Sequence, residues 1–356
     1  MYRILLISPY DAISHRRWRM ELGDFLMTEG MEVHQVSLPA RYYAWRSRGN
    51  SLTLAYDERL QHDFDLIIAT SMTDLSALRG LHGRLARVPT VAYFHENQFA
   101  YPDRSETGVI ERQLTSIYTA LSADAVLFNS RFNRETFLKG MSGLLQKMPD
   151  GVPAGLTEIV EKRSLCLPVA LRPQESGPAK LPGTIVWNHR WEHDKGLDRL
   201  LEIVRSLNAT NRDYRLHLLG QQFRQTPEEL TEVIGILRSS GKAGLIGFIE
   251  AERDYLACLQ EAQIVLSTSR QEFQGLAVQD AISAGCAPVV PDELCYPEYV
   301  PSCYRYQTCE EAVDIVGQIM TGELVEPVNL DGYQWPLIGQ GWLEIIDKLV
   351  RPRGSA

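Results

Sequence analysis

Two tetrapeptides, Leu66-Ile-Ile-Ala69 and Ala125-Val-Leu-Phe128, carry no polar side chain. A strand of this kind has no face to offer water, so both its faces must be covered, as in a parallel sheet held between two layers of helices. The surrounding sequence has the matching rhythm. Strands are predicted at Arg3–Ser8, Val33–Val36, Leu66–Ala69, Thr90–Phe94 and Ala125–Phe128, with helical stretches such as Arg17–Met27 and Glu111–Leu121 between them. The alternation restarts with Thr184–Trp187, Leu216–Leu219, Gly244–Phe248, Ile264–Ser267 and Ala287–Val290. The expected fold is α/β, with two doubly wound lobes facing a cleft where ligands meet the carboxyl ends of strands.

A chain of 356 residues suits two domains. The polar, Pro- and Gly-containing run Arg172-Pro-Gln-Glu-Ser-Gly-Pro178 is the expected linker. It divides a first lobe, 1–172, from a second, 173–334, leaving a C-terminal segment, 335–356. In that segment Gln340–Val350 places Trp342, Ile345, Ile346 and Leu349 on one helical side, a face suited to bracing the first lobe. The formal charge of −9 argues against a general nucleic-acid coat protein. Residues 1–168, however, hold 19 basic and 19 acidic residues, so the deficit lies wholly in the second half. A polyanionic partner is therefore expected on the first lobe. The apolar start, Met1 to Pro9, is too short to span a membrane and has no cleavage pattern, and the six cysteines form no Cys-x-x-Cys pair. Both features fit a cytoplasmic chain with reduced thiols, no membrane span and no metal site.

Candidate chemistry concentrates between Trp187 and Pro297. In Trp187-Asn-His-Arg-Trp-Glu-His-Asp-Lys-Gly196, Arg190 and Lys195 follow a strand and can together stabilise a departing diphosphate. Asn188 stands beside them. A second loop, Ser269-Arg-Gln-Glu-Phe-Gln-Gly-Leu-Ala-Val-Gln-Asp280, leads from a strand into a helix. Gly275 permits close backbone approach, and amides at a helix start bind phosphate oxygens. Glu272 is placed for sugar hydroxyls and Asp280 for ribose hydroxyls, with Phe273 and Leu276 as further donor-binding candidates. The first strand–loop–helix lacks Gly-x-Gly-x-x-Gly, against a nicotinamide dehydrogenase.

On the first lobe, His95 in Tyr93-Phe-His-Glu-Asn-Gln-Phe-Ala-Tyr-Pro102 closes a strand and can face a bound sugar. Glu96 and Asn97 are candidates to orient it or to hold an acceptor, while Asn129 and Ser130 close another strand and are candidates for lining the cleft. Arg41-Tyr-Tyr-Ala-Trp-Arg-Ser-Arg48 interleaves arginines with aromatics, and His15-Arg-Arg-Trp-Arg19 repeats the idea. Arg neutralises phosphate while aromatic faces stack unpaired bases. Ser14, His15, Arg41, Trp45, Arg46 and Arg48 are accordingly candidates for RNA contact.

The Arg…Lys pair followed by acids at 272 and 280 resembles the retaining GT-B glycosyltransferases of family four, with Asp280 standing where that family has Glu. Ser14-His15, Leu38–Arg48, Tyr93–Pro102, Phe128–Asn133, Met148-Pro-Asp150, Trp187–Lys195, Gln271–Gly275 and Tyr296-Pro-Glu298 resemble a narrower group, the tRNA-queuosine mannosyltransferases. That resemblance implies transfer of mannose from GDP-mannose to the cyclopentenediol of queuosine in tRNA-Asp, with retention and without a metal. It also implies His95, Arg190, Lys195 and Glu272 as catalytic residues. The first loop departs from the group, having Asp11-Ala-Ile13 where members tend to carry glycines. The alternatives are a GT-B enzyme for a lipid-linked or small glycan, a catalytically silent RNA-binding protein, and a nucleotide-sugar epimerase.

Overall fold

The computed structural model describes residues 1–101, 108–172, 177–222 and 226–350. Pro102, the middle of the expected linker (173–176) and the tail 351–356 lie outside the described residues. The chain divides into two compact units, Met1–Ala170 with Trp335–Ala356, and Leu171–Gln334.

The first unit is built on β1 (Arg3–Asp11), β2 (Glu32–Pro39), β3 (Leu66–Thr70), β4 (Thr90–Phe94), β5 (Ala125–Phe128) and β6 (Ser164–Cys166). They form one parallel sheet in the order β2-β1-β3-β4-β5-β6. Every residue of β3, β4 and β5 is buried, as their composition demands. The second unit uses β7 (Leu181–Asn188), β8 (Arg215–Leu219), β9 (Ala243–Gly247), β10 (Ala262–Leu266), β11 (Ala287–Pro291) and β12 (Arg305–Tyr306). Its parallel order is β12-β11-β10-β7-β8-β9. The direction of winding reverses between β1 and β3 in one sheet and between β7 and β10 in the other. Such reversals open a crevice at the carboxyl ends of the strands concerned, and both candidate motifs of the second unit sit there.

The helix Trp335–Val350 packs onto the first unit rather than the second. Buried Trp342 lies 5.7 Å from the Tyr93 ring and 6.2 Å from Trp18, and Trp335 stacks on Phe25 at 5.1 Å. Gly339 permits this approach, since a Cβ there would come within 2.6 Å of the Phe25 ring. Trp342→Ala is expected to cost about 3–5 kcal/mol, the usual range for emptying a large aromatic site. Thermal unfolding of the variant measures it, and an unchanged midpoint would show that the helix is dispensable to the unit.

Candidate active site

In the second unit, side-chain bonds tie the two motif loops together before any ligand is considered. Trp187 Nε1 donates to Thr268 Oγ1 at 2.9 Å, and Thr268 Oγ1 donates to the Lys195 carbonyl at 2.7 Å. Gly196 must pass close to this strap with a left-handed φ of 67°, and a Cβ there would sit 1.9 Å from the Thr268 carbonyl oxygen. Gly196→Ala therefore has to push the loops apart. A loss of at least about 1–3 kcal/mol is expected from the backbone conformation alone, readable as a lowered unfolding midpoint together with weaker nucleotide binding. A variant with wild-type values of both would contradict the strap.

The buried Lys195 ammonium donates to the Gln271 carbonyl at 2.8 Å and to Glu272 Oε2 at 3.3 Å, and lies 3.2 Å from Asp194. Burial opposes its charge, but the carboxylates of Glu272 and Asp194 hold its pKa above the usual 10.5. Burial likewise opposes the charge on Glu272, while Lys195 and the Gly275 amide hold that carboxyl below the usual 4.5. Glu272 Oε1 accepts the amides of Phe273 and Gly275, both at 3.2 Å. Two amides expected to meet phosphate are thus engaged by the loop's own acid. Gly275, with φ 79°, starts the helix Leu276–Ser283, on which Asp280 is partly exposed. Asn188 Nδ2 donates to Tyr255 Oη at 2.9 Å and to the Ala277 carbonyl at 2.8 Å, fastening the end of β7 to that helix.

Arg190 differs from Lys195. Its side chain is half exposed, and its guanidinium pairs with Glu192 at 3.0 Å and Asp194 at 3.7 Å. Exposed pairs of this kind are worth about 0–1 kcal/mol, so Arg190 can exchange a carboxylate for a phosphate oxygen at little cost. Lys195, in contrast, is built in.

His189, the chain neighbour of Arg190, is a residue that sequence reasoning passed over. It is buried, edge-on to Trp187 at 5.2 Å, and its Nε2 has no hydrogen-bond partner among the described residues. Burial first, and then the Lys195 charge, push its pKa down to about 3. Its neutral form contributes stability that is complete above the unfolded value of 6.5 and is lost as pH falls from there towards 3. The expected slope is at most about 1.4 kcal/mol per pH unit. His189→Asn should flatten the decline in unfolding midpoint between pH 6.5 and 5, and an unaltered profile would show that the ring is not the group concerned.

In the first unit, His95 follows β4 and is enclosed by rings. His15 stacks on it at 4.3 Å, and Trp18 and Tyr93 meet it edgewise at 4.8 and 4.7 Å. Burial, and then His15, hold its pKa well below 6.5, and its Nε2 has no partner among the described residues. His15 Nδ1 lies 2.9 Å from the Tyr10 carbonyl, a contact that requires the proton on Nδ1. Three asparagines fix the turn bearing His95. Asn129 Nδ2 donates to the His95 carbonyl at 2.8 Å, Asn133 Nδ2 to the Phe94 carbonyl at 2.9 Å, and Asn97 Nδ2 to Asn133 Oδ1 at 2.8 Å. Ser130 accepts the Asn133 amide and caps the helix Arg131–Leu145. Asn97, Asn129 and Ser130 therefore carry bonds that shape the loop, and Glu96 accepts from Tyr101 Oη at 2.7 Å.

Residues 3–171 match the family described as tRNA-queuosine alpha-mannosyltransferase N-terminal, and residues 172–304 match glycosyl transferases group 1. A tRNA-queuosine alpha-mannosyltransferase of Drosophila melanogaster is 32% identical over 320 residues, covering 86% of this chain and 83% of that protein. The chain belongs to the tRNA-queuosine alpha-mannosyltransferase family. It is a glycosyltransferase. A GDP-mannose:cellobiosyl-diphosphopolyprenol alpha-mannosyltransferase of Xanthomonas campestris is 29% identical over 115 residues, covering 32% of this chain and 30% of that one. Among solved structures, E. coli trehalose-6-phosphate bound with UDP-2-fluoro glucose superposes with a TM-score of 0.70 at 11% identity, covering 98% of this chain and 99% of that chain. Anabaena HepE in complex with UDP gives 0.66 at 13% identity, covering 98% and 100%. These likenesses show the GT-B fold, two parallel-sheet Rossmann-like domains.

In the first unit of this tRNA-queuosine alpha-mannosyltransferase relative, the helix Tyr43–Leu54 leaves Trp45 and Arg48 exposed, and Arg41 and Ser14 are exposed as well. Arg46 departs from the surface expected of it. It is buried, and its Nε has no partner among the described residues, so its replacement tests packing as well as RNA contact. The motif around Trp18 departs too. Trp18 is core, and Arg16 and Arg19 pair with buried Asp11 at 3.3 and 2.9 Å. Asp11 thus anchors the first helix.

Proposed function

We propose that this chain transfers mannose from GDP-mannose to queuosine in the anticodon loop of tRNA-Asp, with retention of anomeric configuration. The identity to the Drosophila relative across 320 residues carries the reading. The name of the Xanthomonas relative, which gives GDP-mannose as donor, supports the donor assignment. Lys195 and Arg190 neutralise the departing diphosphate, taking the part that a divalent ion has in other transferases. Glu272, aligned by Lys195 and two amides, accepts hydrogen bonds from sugar hydroxyls, and Asp280 from the ribose. His95, kept neutral by its surroundings, offers an uncharged ring nitrogen to the transferred sugar. The acceptor hydroxyl attacks the face that the diphosphate leaves, and the departing phosphate takes its proton. Arg41, Trp45, Arg48 and Ser14 present charge and an aromatic face to the anticodon loop. Such a reaction belongs in the cytoplasm, where tRNA is, and no described helix is long and apolar enough to cross a membrane. Binding titrations with GDP-mannose, other GDP-sugars and UDP-sugars test the donor assignment. GDP-mannose should bind most tightly, and a preference for any UDP-sugar would overturn it.

A further inference from the structure

A small polar hollow opens in the first unit beside the loop carrying His95. Tyr43, Ser47, Glu96, Gln98, Thr115 and Ser116 are among the residues lining it. Three of its hydroxyl groups have a common property. Ser47 Oγ donates to the Ala44 carbonyl at 3.1 Å, Thr115 Oγ1 to Glu111 at 2.8 Å, and Ser116 Oγ to Arg112 at 3.0 Å. Each hydroxyl proton is committed to its own helix backbone, so each oxygen offers only lone pairs to the hollow. Gln98 Oε1 accepts weakly from Tyr43 Oη at 3.5 Å, and Glu96 adds a carboxylate whose Oε2 takes the Tyr101 hydroxyl. Three lone-pair oxygens sharing one hollow with the Glu96 carboxylate favour a ligand that donates hydrogen bonds and carries positive charge. Arg112 also borders the hollow and bears the opposite sign to Glu96.

We infer that this hollow binds the cationic secondary amine that joins the diol ring of queuosine to its 7-deazaguanine base, with Glu96 as the counter-charge. The inference rests on the proposed acceptor. Glu96 is the chain neighbour of His95, and in queuosine the amine lies a few bonds from the diol. Holding the amine at Glu96 therefore brings the acceptor hydroxyls towards the sugar that His95 contacts. Tyr43 connects the hollow to the same surroundings, its ring meeting Tyr10 edge-on at 5.5 Å, and the Tyr10 carbonyl fixes His15 beneath His95. Unmodified guanosine has no such amine, so the hollow is where the enzyme distinguishes modified from unmodified tRNA.

The test compares wild type, Glu96→Gln, Thr115→Val and Arg112→Gln on queuosine-containing and queuosine-lacking tRNA-Asp, measuring tRNA affinity, kcat and KM, with GDP-mannose binding as the check on folding. Wild type should prefer queuosine-containing tRNA. Glu96→Gln should raise KM for it by about tenfold, the worth of one charge-assisted hydrogen bond, and erase the preference. Thr115→Val, nearly isosteric, should raise KM less. Arg112→Gln, which removes a repelling charge, should lower KM. A Glu96→Gln variant that binds GDP-mannose yet keeps the full preference overturns the inference. So does the opposite sign pattern, tighter binding by Glu96→Gln and weaker by Arg112→Gln, which means an anion occupies the hollow. Wild type without activity on queuosine-containing tRNA refutes the proposed acceptor instead.

Discussion

Arg190→Ala is expected to lower kcat for sugar transfer by about two to three orders of magnitude while leaving the fold intact. That factor is typical of removing one positive or donor group from a site of developing negative charge. The fold should tolerate the change because the guanidinium is half exposed and its pairs with Glu192 and Asp194 are ones that water can replace. Removing it also leaves those two carboxylates facing the diphosphate without their cation, so donor affinity should fall together with kcat. Turnover and GDP-mannose affinity, measured beside the unfolding midpoint, check both halves. A stable variant with near-wild-type turnover would remove Arg190 from the mechanism.

Lys195→Ala is expected to abolish measurable transfer and, unlike Arg190→Ala, to destabilise the second unit by about 3–5 kcal/mol, the range for breaking a buried ion pair by deleting one partner. The substitution leaves Glu272 enclosed without its counter-ion and the Gln271 carbonyl without its donor. In sequence Lys195 is a cation on a loop, and nothing there shows the burial that the Thr268 strap imposes. Glu272→Gln in the Lys195→Ala background should recover part of the stability by removing the stranded charge, and none of the activity. The pH dependence follows from the same pair. Glu272, held below 4.5, contributes stability that is present above pH 4.5 and lost as pH falls through its lowered value. Lys195, held above 10.5, contributes stability that is complete below pH 10.5 and lost as pH rises through its raised value. A Lys195→Ala protein as stable as wild type would contradict the described geometry.

Most of the fold was legible because strands such as Leu66–Thr70 and Ala125–Phe128 are apolar throughout, and a fully covered strand has little else it can be. The strands Ser164–Cys166 and Arg305–Tyr306 were not, since three or two residues at a sheet margin have no periodicity to read. The Lys195–Glu272 contact joins residues from two motifs that sequence reasoning already placed at strand ends. What sequence could not supply was burial. It treated Arg46 and Trp18 as surface groups because arginines alternate with aromatics there, whereas helical phase turns Trp18 onto Tyr93 and Arg46 inwards. His189 was missed for the converse reason: nothing in a histidine between Asn188 and Arg190 reveals that it is enclosed, with one nitrogen unpartnered among the described residues.

The most direct measurement is the mass of tRNA nucleosides after reaction. Queuosine-containing tRNA-Asp is incubated with the protein and GDP-mannose, digested and weighed, beside the same tRNA lacking queuosine. One hexose added to queuosine, and none to the unmodified control, is the predicted result. Queuosine of unchanged mass, from a protein that binds GDP-mannose and is fully folded, would contradict it.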